Sequence, residues 1–147
     1  KIDAETGEVV WSVDYDCWTI EDLSGGVQGS IARGEGSLSE YIYVPVSRTP
    51  DAMSGRLVCL RQTDGEVVWE YPTAYSWSSP VCVYDQQGRG YVINADFNGD
   101  LHLVDGLTGE ALDVINLGSN IESSPAVYEN RLVVGTRGQL IWGISFQ

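Results

Sequence analysis

The segment Asp3-Ala4-Glu5-Thr6-Gly7-Glu8-Val9-Val10-Trp11 recurs as Arg61-Gln62-Thr63-Asp64-Gly65-Glu66-Val67-Val68-Trp69, and again as Asp105-Gly106-Leu107-Thr108-Gly109-Glu110-Ala111-Leu112-Asp113. The Gly-Glu pair keeps its place in all three copies. A repeat of this length constrains the fold more than any single residue does, because similar units must form similar pieces that stack on one another. Upstream the register continues: Gly55-Arg56-Leu57-Val58-Cys59-Leu60 aligns with Gly99-Asp100-Leu101-His102-Leu103-Val104 and with Gly138-Gln139-Leu140-Ile141-Trp142-Gly143. Tyr41–Val44, Tyr91–Asn94 and Arg131–Val134 form another column, and Ser78-Ser79-Pro80 pairs with Ser123-Ser124-Pro125 and more loosely with Gly29-Ser30-Ile31.

Each unit reads as four short runs of β-branched and aromatic residues separated by glycine and acidic turns, the pattern of a four-stranded antiparallel meander. Asn98-Gly99 suits a tight hairpin with positive φ, and no window holds a helical period over ten residues. The expectation is an all-β chain, a partial β-propeller of about three four-stranded antiparallel blades with about twelve strands. Residues 1–16 hold the outer strand of a preceding blade, 29–71 and 78–116 are blades, and 121–147 is an incomplete blade.

Charge narrows the partners. Twenty-one acidic residues against eight basic ones give a formal charge of −13, and Lys1 is the only lysine, so no basic stripe exists to neutralise phosphates. Nucleic acid is excluded as an expected partner. No apolar run approaches the roughly 20 residues of a bilayer span, so membrane insertion is not expected. Lys1-Ile2-Asp3-Ala4 carries no signal core and reads as a cut edge. Cys17, Cys59 and Cys82 show no C-x-x-C spacing, which argues against a zinc site and a disulfide framework; Cys59 and Cys82 read as small strand hydrophobes.

A glycine-flanked L-x-x-L-D-x-x-T-G-x-x-x-W stretch followed about ten residues later by S-S-P resembles the tryptophan-docking repeat of the pyrroloquinoline-quinone-type (PQQ-like) propeller family, and the likeness covers nearly the whole chain. It implies that Trp11 and Trp69 dock on the neighbouring blade, with Gly7, Gly65 and Gly109 at the turns, braced by Asp3 and Asp105 and by Thr6 and Thr108. Arg61 replaces the aspartate in the second copy and Asp113 the tryptophan in the third, which implies a weaker contact between particular blades. The resemblance also implies an extracytoplasmic location, periplasmic or at the cell surface. Rings of this family close with more blades than this chain holds, so its end blades are expected either to self-associate or to dock on blades outside it.

The quinone-dependent dehydrogenases of the superfamily use two adjacent cysteines, a stacking tryptophan, a calcium site and a catalytic aspartate. No adjacent cysteines occur here, so no cofactor, no metal and no catalytic residue is assigned. His102, between Leu101 and Leu103, reads as a strand residue. Asp96-Phe97-Asn98-Gly99-Asp100 places oxygens at alternate positions but has Leu101 and Leu107 where a calcium loop of the EF-hand type needs glycine and glutamate.

The repeat lengths supply the functional lead. Gly7 to Gly65 is 58 residues and Gly65 to Gly109 is 44, and the extra residues fall in two places, between Trp11 and Ser30 and between Ile42 and Leu57. In a meander both connections emerge on the same face, and insertions in arrays tend to mark a binding face. Tyr15, Trp18, Tyr75 and Trp77, with Asp14 and Asp16, are the candidate ligand-binding residues, because amphipathic rings beside carboxylates suit protein, carbohydrate or cationic ligands. The expected function is a non-catalytic binding or scaffold module. The alternatives are a fragment of a larger PQQ-dependent dehydrogenase-like quinoprotein and part of a surface sensor.

Overall fold

The computed structural model describes residues 1–146. A two-stranded hairpin, β1 (Thr19–Ile20) and β2 (Leu23–Ser24), precedes three antiparallel sheets. The first blade comprises β3 (Gly26–Val27), β4 (Ala32–Arg33), β5 (Tyr41–Ser47), β6 (Ser54–Arg61) and β7 (Val67–Ala74), with β3 and β4 pairing opposite ends of β5 as an interrupted innermost strand. The second blade is β8 (Val81–Tyr84), β9 (Gly90–Ala95), β10 (Asp100–Asp105) and β11 (Ala111–Asn116). The third is β12 (Ala126–Tyr128), β13 (Arg131–Gly135) and β14 (Ile141–Ser145). A single 3-10 turn, Gly36–Leu38, is the only helical element among the described residues, none of which forms a helix able to cross a membrane. The chain is a partial all-β propeller.

The repeated turn owes its shape to one glycine. Gly7, Gly65 and Gly109 share φ values of 76°, 78° and 76°, in the region that only glycine enters without strain. In each copy the glycine N–H donates to the residue four before it, and that residue's own N–H closes the turn on Glu8, Glu66 or Glu110. The Asp3 and Asp105 carboxylates each accept two further backbone N–H groups. Where Arg61 takes the aspartate position, Asp64 accepts the Glu66 N–H and the Arg61 guanidinium pairs with Asp64 and Glu66 at 2.9 and 2.6 Å. The turn survives by moving its carboxylate three residues along.

The period-two alternation of strands sends neighbouring residues to opposite blades. Tyr43, Leu57 and Cys59 of the first blade meet Val92 and Val104 of the second, around Leu38. Ile93, Ala95 and Leu101 on the other face of the second blade meet Leu132 and Val134 of the third, with Leu117 and Ile121. Val44, Val46, Val58 and Leu60 face away from both, under Trp11, Tyr15 and Cys17. Serines tie the inner ends together: the Ser30 N–H donates to Ser79 Oγ at 2.8 Å, and the Ser79 N–H donates to Ser124 Oγ at 3.0 Å. The same pair of residues in successive blades thus forms one continuing chain of hydrogen bonds.

Four expectations need correction. Residues 1–16 form no outer strand: Ile2 and Val9 make one bridge, and among the described residues the segment pairs with no sheet. The strand number among the described residues rises to fourteen, because the first insertion folds as the β1–β2 hairpin and β3 is an added piece of inner strand. Gly99 alone has positive φ in the Asn98-Gly99 turn, which is braced instead by the Asp96 carboxylate accepting the Asn98 and Asp100 N–H groups. The third-blade register slips by one: Val134 pairs with Trp142, as Asn94 pairs with His102 and Val44 with Val58. Gln139, with φ of 63°, therefore takes the place of Gly99, and the slip sends Trp142 inward and Ile141 outward.

Candidate functional site: an aromatic face braced by a buried aspartate

Three turns converge on one face: 47–54 between β5 and β6, 74–80 between β7 and β8, and 96–100 between β9 and β10. Tyr75 stacks on Phe97 with ring centroids 4.2 Å apart, and Trp77 packs tilted against Tyr75 at 5.8 Å and edge-on to Phe97 at 6.5 Å. The Arg48 guanidinium lies 4.5 Å above the other side of the Tyr75 ring, and its Nη1 donates to the Ala52 carbonyl. Arg48 itself adopts φ of 57°, a conformation that costs a non-glycine residue about 1 kcal/mol or more and that persists only where the surroundings impose it. Burial pushes the Tyr75 hydroxyl above its ordinary pKa. Trp77 is half-buried, and its indole N–H is enclosed without a hydrogen-bond partner. On the third blade the Arg137–Glu122 ion pair, at 2.7 Å, continues this face.

Behind the rings lies a polar brace between the first two blades. His102 Nε2 is 3.1 Å from Asp96 Oδ2, and His102 Nδ1 is 3.1 Å from the Tyr71 hydroxyl of β7. The Ala74 N–H donates to the same Asp96 oxygen, and the Phe97 N–H donates to the Tyr75 carbonyl. With the carboxylate accepting at Oδ2, Nε2 carries a proton, and Nδ1 shares the second hydrogen bond with the Tyr71 hydroxyl. Asp96, Asp100 and His102 have ligand atoms within 4.8 Å of one another. Both Asp96 oxygens are nevertheless taken by N–H donors, two on each, so the group is a hydrogen-bonded brace that holds Ala74, and hence Tyr75 next to it, in place.

The six residues expected to bind ligand do not form one site. Tyr75 and Trp77 touch. Tyr15 lies on the outward face of the first blade, where its hydroxyl donates to Glu70 at 2.8 Å; burial and Glu70 push its pKa up. The Trp18 N–H donates to the Arg48 carbonyl at 2.7 Å, and the Thr49 hydroxyl donates to the Asp16 carbonyl at 3.1 Å. The two insertions are thereby bonded to each other. The Asp14 and Asp16 side chains are exposed. Phe97 and Arg48 were not among the expected residues, although both lie in second-to-third-strand turns, on the face that the repeat arithmetic singles out.

Trp69 and Trp11 make the same contact one blade apart. A Cβ on Gly109 would fall 2.7 Å from the Trp69 ring, and one on Gly65 would fall 2.6 Å from the Trp11 ring. The indole N–H groups donate to the Gly106 and Gln62 carbonyls, both at 3.2 Å. The three cysteines are separate and free, and burial pushes Cys59 up to about 12 and Cys82 up to about 11. That donor set does not fit the stacked quinone site of the dehydrogenases.

No curated protein matches this sequence. Among solved structures, BamB from Moraxella catarrhalis aligns over 98% of this chain and 42% of its own, with a TM-score of 0.65 and 19% identity. A europium-containing methanol dehydrogenase aligns over 81% of this chain and 22% of its own, with a TM-score of 0.52 and 16% identity. The chain thus spans less than half the length of either, and at these identities the likeness establishes the fold alone. A family model described as outer membrane protein assembly factor BamB matches residues 1–87 and again residues 53–147. Its two overlapping matches run over the repeats that carry the glycine turns and the docking tryptophans, and the chain belongs to this PQQ-like propeller repeat family.

Proposed function

We propose that the chain is a non-catalytic propeller module that binds a protein segment outside the cytoplasm, on the face formed by Arg48, Tyr75, Trp77 and Phe97. The observation that carries the reading is the three-ring platform itself: Tyr75 stacked on Phe97, with the half-buried Trp77 against both and the Arg48 guanidinium over Tyr75, joins in one patch the aromatic and arginine side chains that anchor docked protein segments. The two insertions meet at Arg48 on the same face, and the charge of −13 favours a partner segment with basic residues. The description of the matching family, an outer membrane protein assembly factor, is in keeping with a protein partner and an extracytoplasmic setting.

The test is binding of a panel of synthetic peptides, basic-aromatic against acidic, and of oligosaccharides to the purified chain by calorimetry. Basic-aromatic peptides should bind. Trp77→Ala and Phe97→Ala should each weaken them by about 30-fold, as loss of a central aromatic anchor of about 2 kcal/mol does. Saccharide binding lost in the same variants would replace a protein partner with a glycan. Peptide binding unchanged in both variants would move the site elsewhere. The fold shared with methanol dehydrogenase supports a second reading, a piece of a quinoprotein, and dye reduction with alcohol, added quinone and calcium above a quinone-free control would establish it.

A further inference from the structure

One buried cation in the chain has no counter-charge. Arg48, in the turn between β5 and β6, is 7% exposed, and among the described residues no carboxylate lies within 4.0 Å of its guanidinium. Arg56, Arg61, Arg89 and Arg137 are all paired, and Arg33 and Arg131 are exposed. The groups around Arg48 come from turns inside the chain. Asp16, Trp18 and Gly25 meet it and Thr49 on one side, and Tyr75 followed by Phe97 closes the other. The carboxylates of this face already have other partners: Asp51 accepts the Met53 and Ser54 N–H groups, Asp96 accepts its four donors, and Glu122 is held by Arg137. Nη1 of Arg48 donates to the Ala52 carbonyl, and its other nitrogens are not among the enclosed polar atoms, so part of the guanidinium fork opens on solvent.

A charge held out of water is destabilising unless it is paired, and the planar fork of arginine matches a carboxylate through two parallel hydrogen bonds. We infer, on the reading that this face binds a protein segment, that the segment anchors one carboxylate side chain on Arg48. Arg48, Tyr75 and Phe97 form a row, guanidinium to ring at 4.5 Å and ring to ring at 4.2 Å, with Tyr75, 5% exposed, as the spacer. Side chains two residues apart on an extended segment point to the same side, about 7 Å from each other. A glutamate on Arg48 therefore sets the side chain two positions along over Phe97 and Trp77, where an aromatic ring fits. The net charge of −13 limits the acid to one, because further carboxylates are repelled while basic flanks are attracted. The recognised element is a single acidic residue two positions from an aromatic one, in a segment that is otherwise basic.

Calorimetry of the full chain with two basic-aromatic peptides tests the anchor. The peptides differ only in carrying glutamate or glutamine two positions from the aromatic residue, and both are acetylated and amidated, so the glutamate is the only carboxylate. The glutamate peptide should bind about 10-fold tighter or more, the effect of a charge-assisted pair. Arg48→Gln should make the two peptides equal, and Arg48→Lys, which keeps the charge and loses the fork, should restore only part of the preference. Phe97→Ala should weaken both peptides and leave the glutamate preference in place. Thermal melts check that each variant folds, and the comparison of the two peptides on the parent chain holds without any variant. Equal binding of the two peptides to the parent, with both weakened by Phe97→Ala, would overturn the carboxylate anchor and leave the binding face standing. A glutamate preference that survives Arg48→Gln in a folded variant would overturn the anchor as well. No binding of either peptide, or binding that Phe97→Ala leaves unchanged, would overturn the face and the anchor with it.

Discussion

The two blade–blade interfaces within the chain are built from the same repeat and differ in chemistry. Between the first and second blades an indole docks on a glycine turn, Tyr43 donates to the Gly106 carbonyl at 2.9 Å, and the Tyr71–His102–Asp96 brace crosses the gap. Between the second and third, the pairing of Leu103 with Asp113, like that of Cys59 with Trp69, puts a carboxylate at the tryptophan position, and β11 is exposed along its whole length. Phe146 follows Ile144 as Gly106 follows Val104, and it packs against the Ile93–Leu101–Leu132 cluster. A large ring has moved from the outer strand of one blade to the third strand of the next. A cleft of about 290 Å³ remains there, lined by Leu103, Asp113, Ile115 and Phe146. Both interfaces carry serine hydrogen bonds at their inner ends; the first adds a docked indole and a buried side-chain brace, where the second has apolar contact.

Asp96→Ala should show the largest effect, because it strips Ala74, Asn98, Asp100 and His102 of a shared buried acceptor. A loss of about 3–5 kcal/mol is expected, comparable to breaking a buried ion pair. Urea unfolding measures it, and a loss below about 1 kcal/mol would show that the brace is dispensable and that the contrast between the interfaces is one of shape alone. Trp69→Ala comes next, at about 3 kcal/mol, the low end for a large aromatic because the ring is only partly buried. Phe146→Ala should cost about 1 kcal/mol, the transfer value of a partly exposed ring. Equal shifts in Tm for the two would erase the distinction between a docked tryptophan and its displaced counterpart.

A further effect, confined to high pH, belongs to the first interface, which holds both raised thiols. Cys59 and Cys82 titrate at about 12 and about 11 in the folded chain against an ordinary 9.0, through burial first of all. The folded chain therefore keeps protons that the unfolded chain releases. Stability is intact below pH 9.0 and falls as pH rises through the folded values. Cys59→Val should flatten the decline in unfolding free energy between pH 9.0 and about 11, and an unchanged slope would assign that decline to other groups.

Reading the chain in one dimension found the blades and missed the details that depend on contact between them. The Gly-Glu turns, the Ser-Ser-Pro corners and the alternating runs are local devices, each encoded within a few adjacent residues, and together with the tryptophan spacing they specify a stack of antiparallel meanders. The face carrying the two insertions was legible too, since a meander sends alternate connections to the same side. Arg48 and Phe97 were not, because nothing near them in sequence marks them: each becomes a site residue only when 47–54 and 96–100 are folded against Tyr75. Tyr15, by contrast, had the right chemistry and the wrong destination, since Glu70, 55 residues away, holds it on the side of the first blade. The one-residue slip in the third blade has the same origin. Gly138 aligns with Gly99 by identity, but pairing across β13 and β14 selects the register that buries Trp142 and Ile144, with Gln139 taking the left-handed position. Turn chemistry and strand period are short-range, so the sequence alone determined the repeat and the fold class. Which rings meet and which carboxylate braces them are long-range matters of packing, and only the tertiary structure decided them.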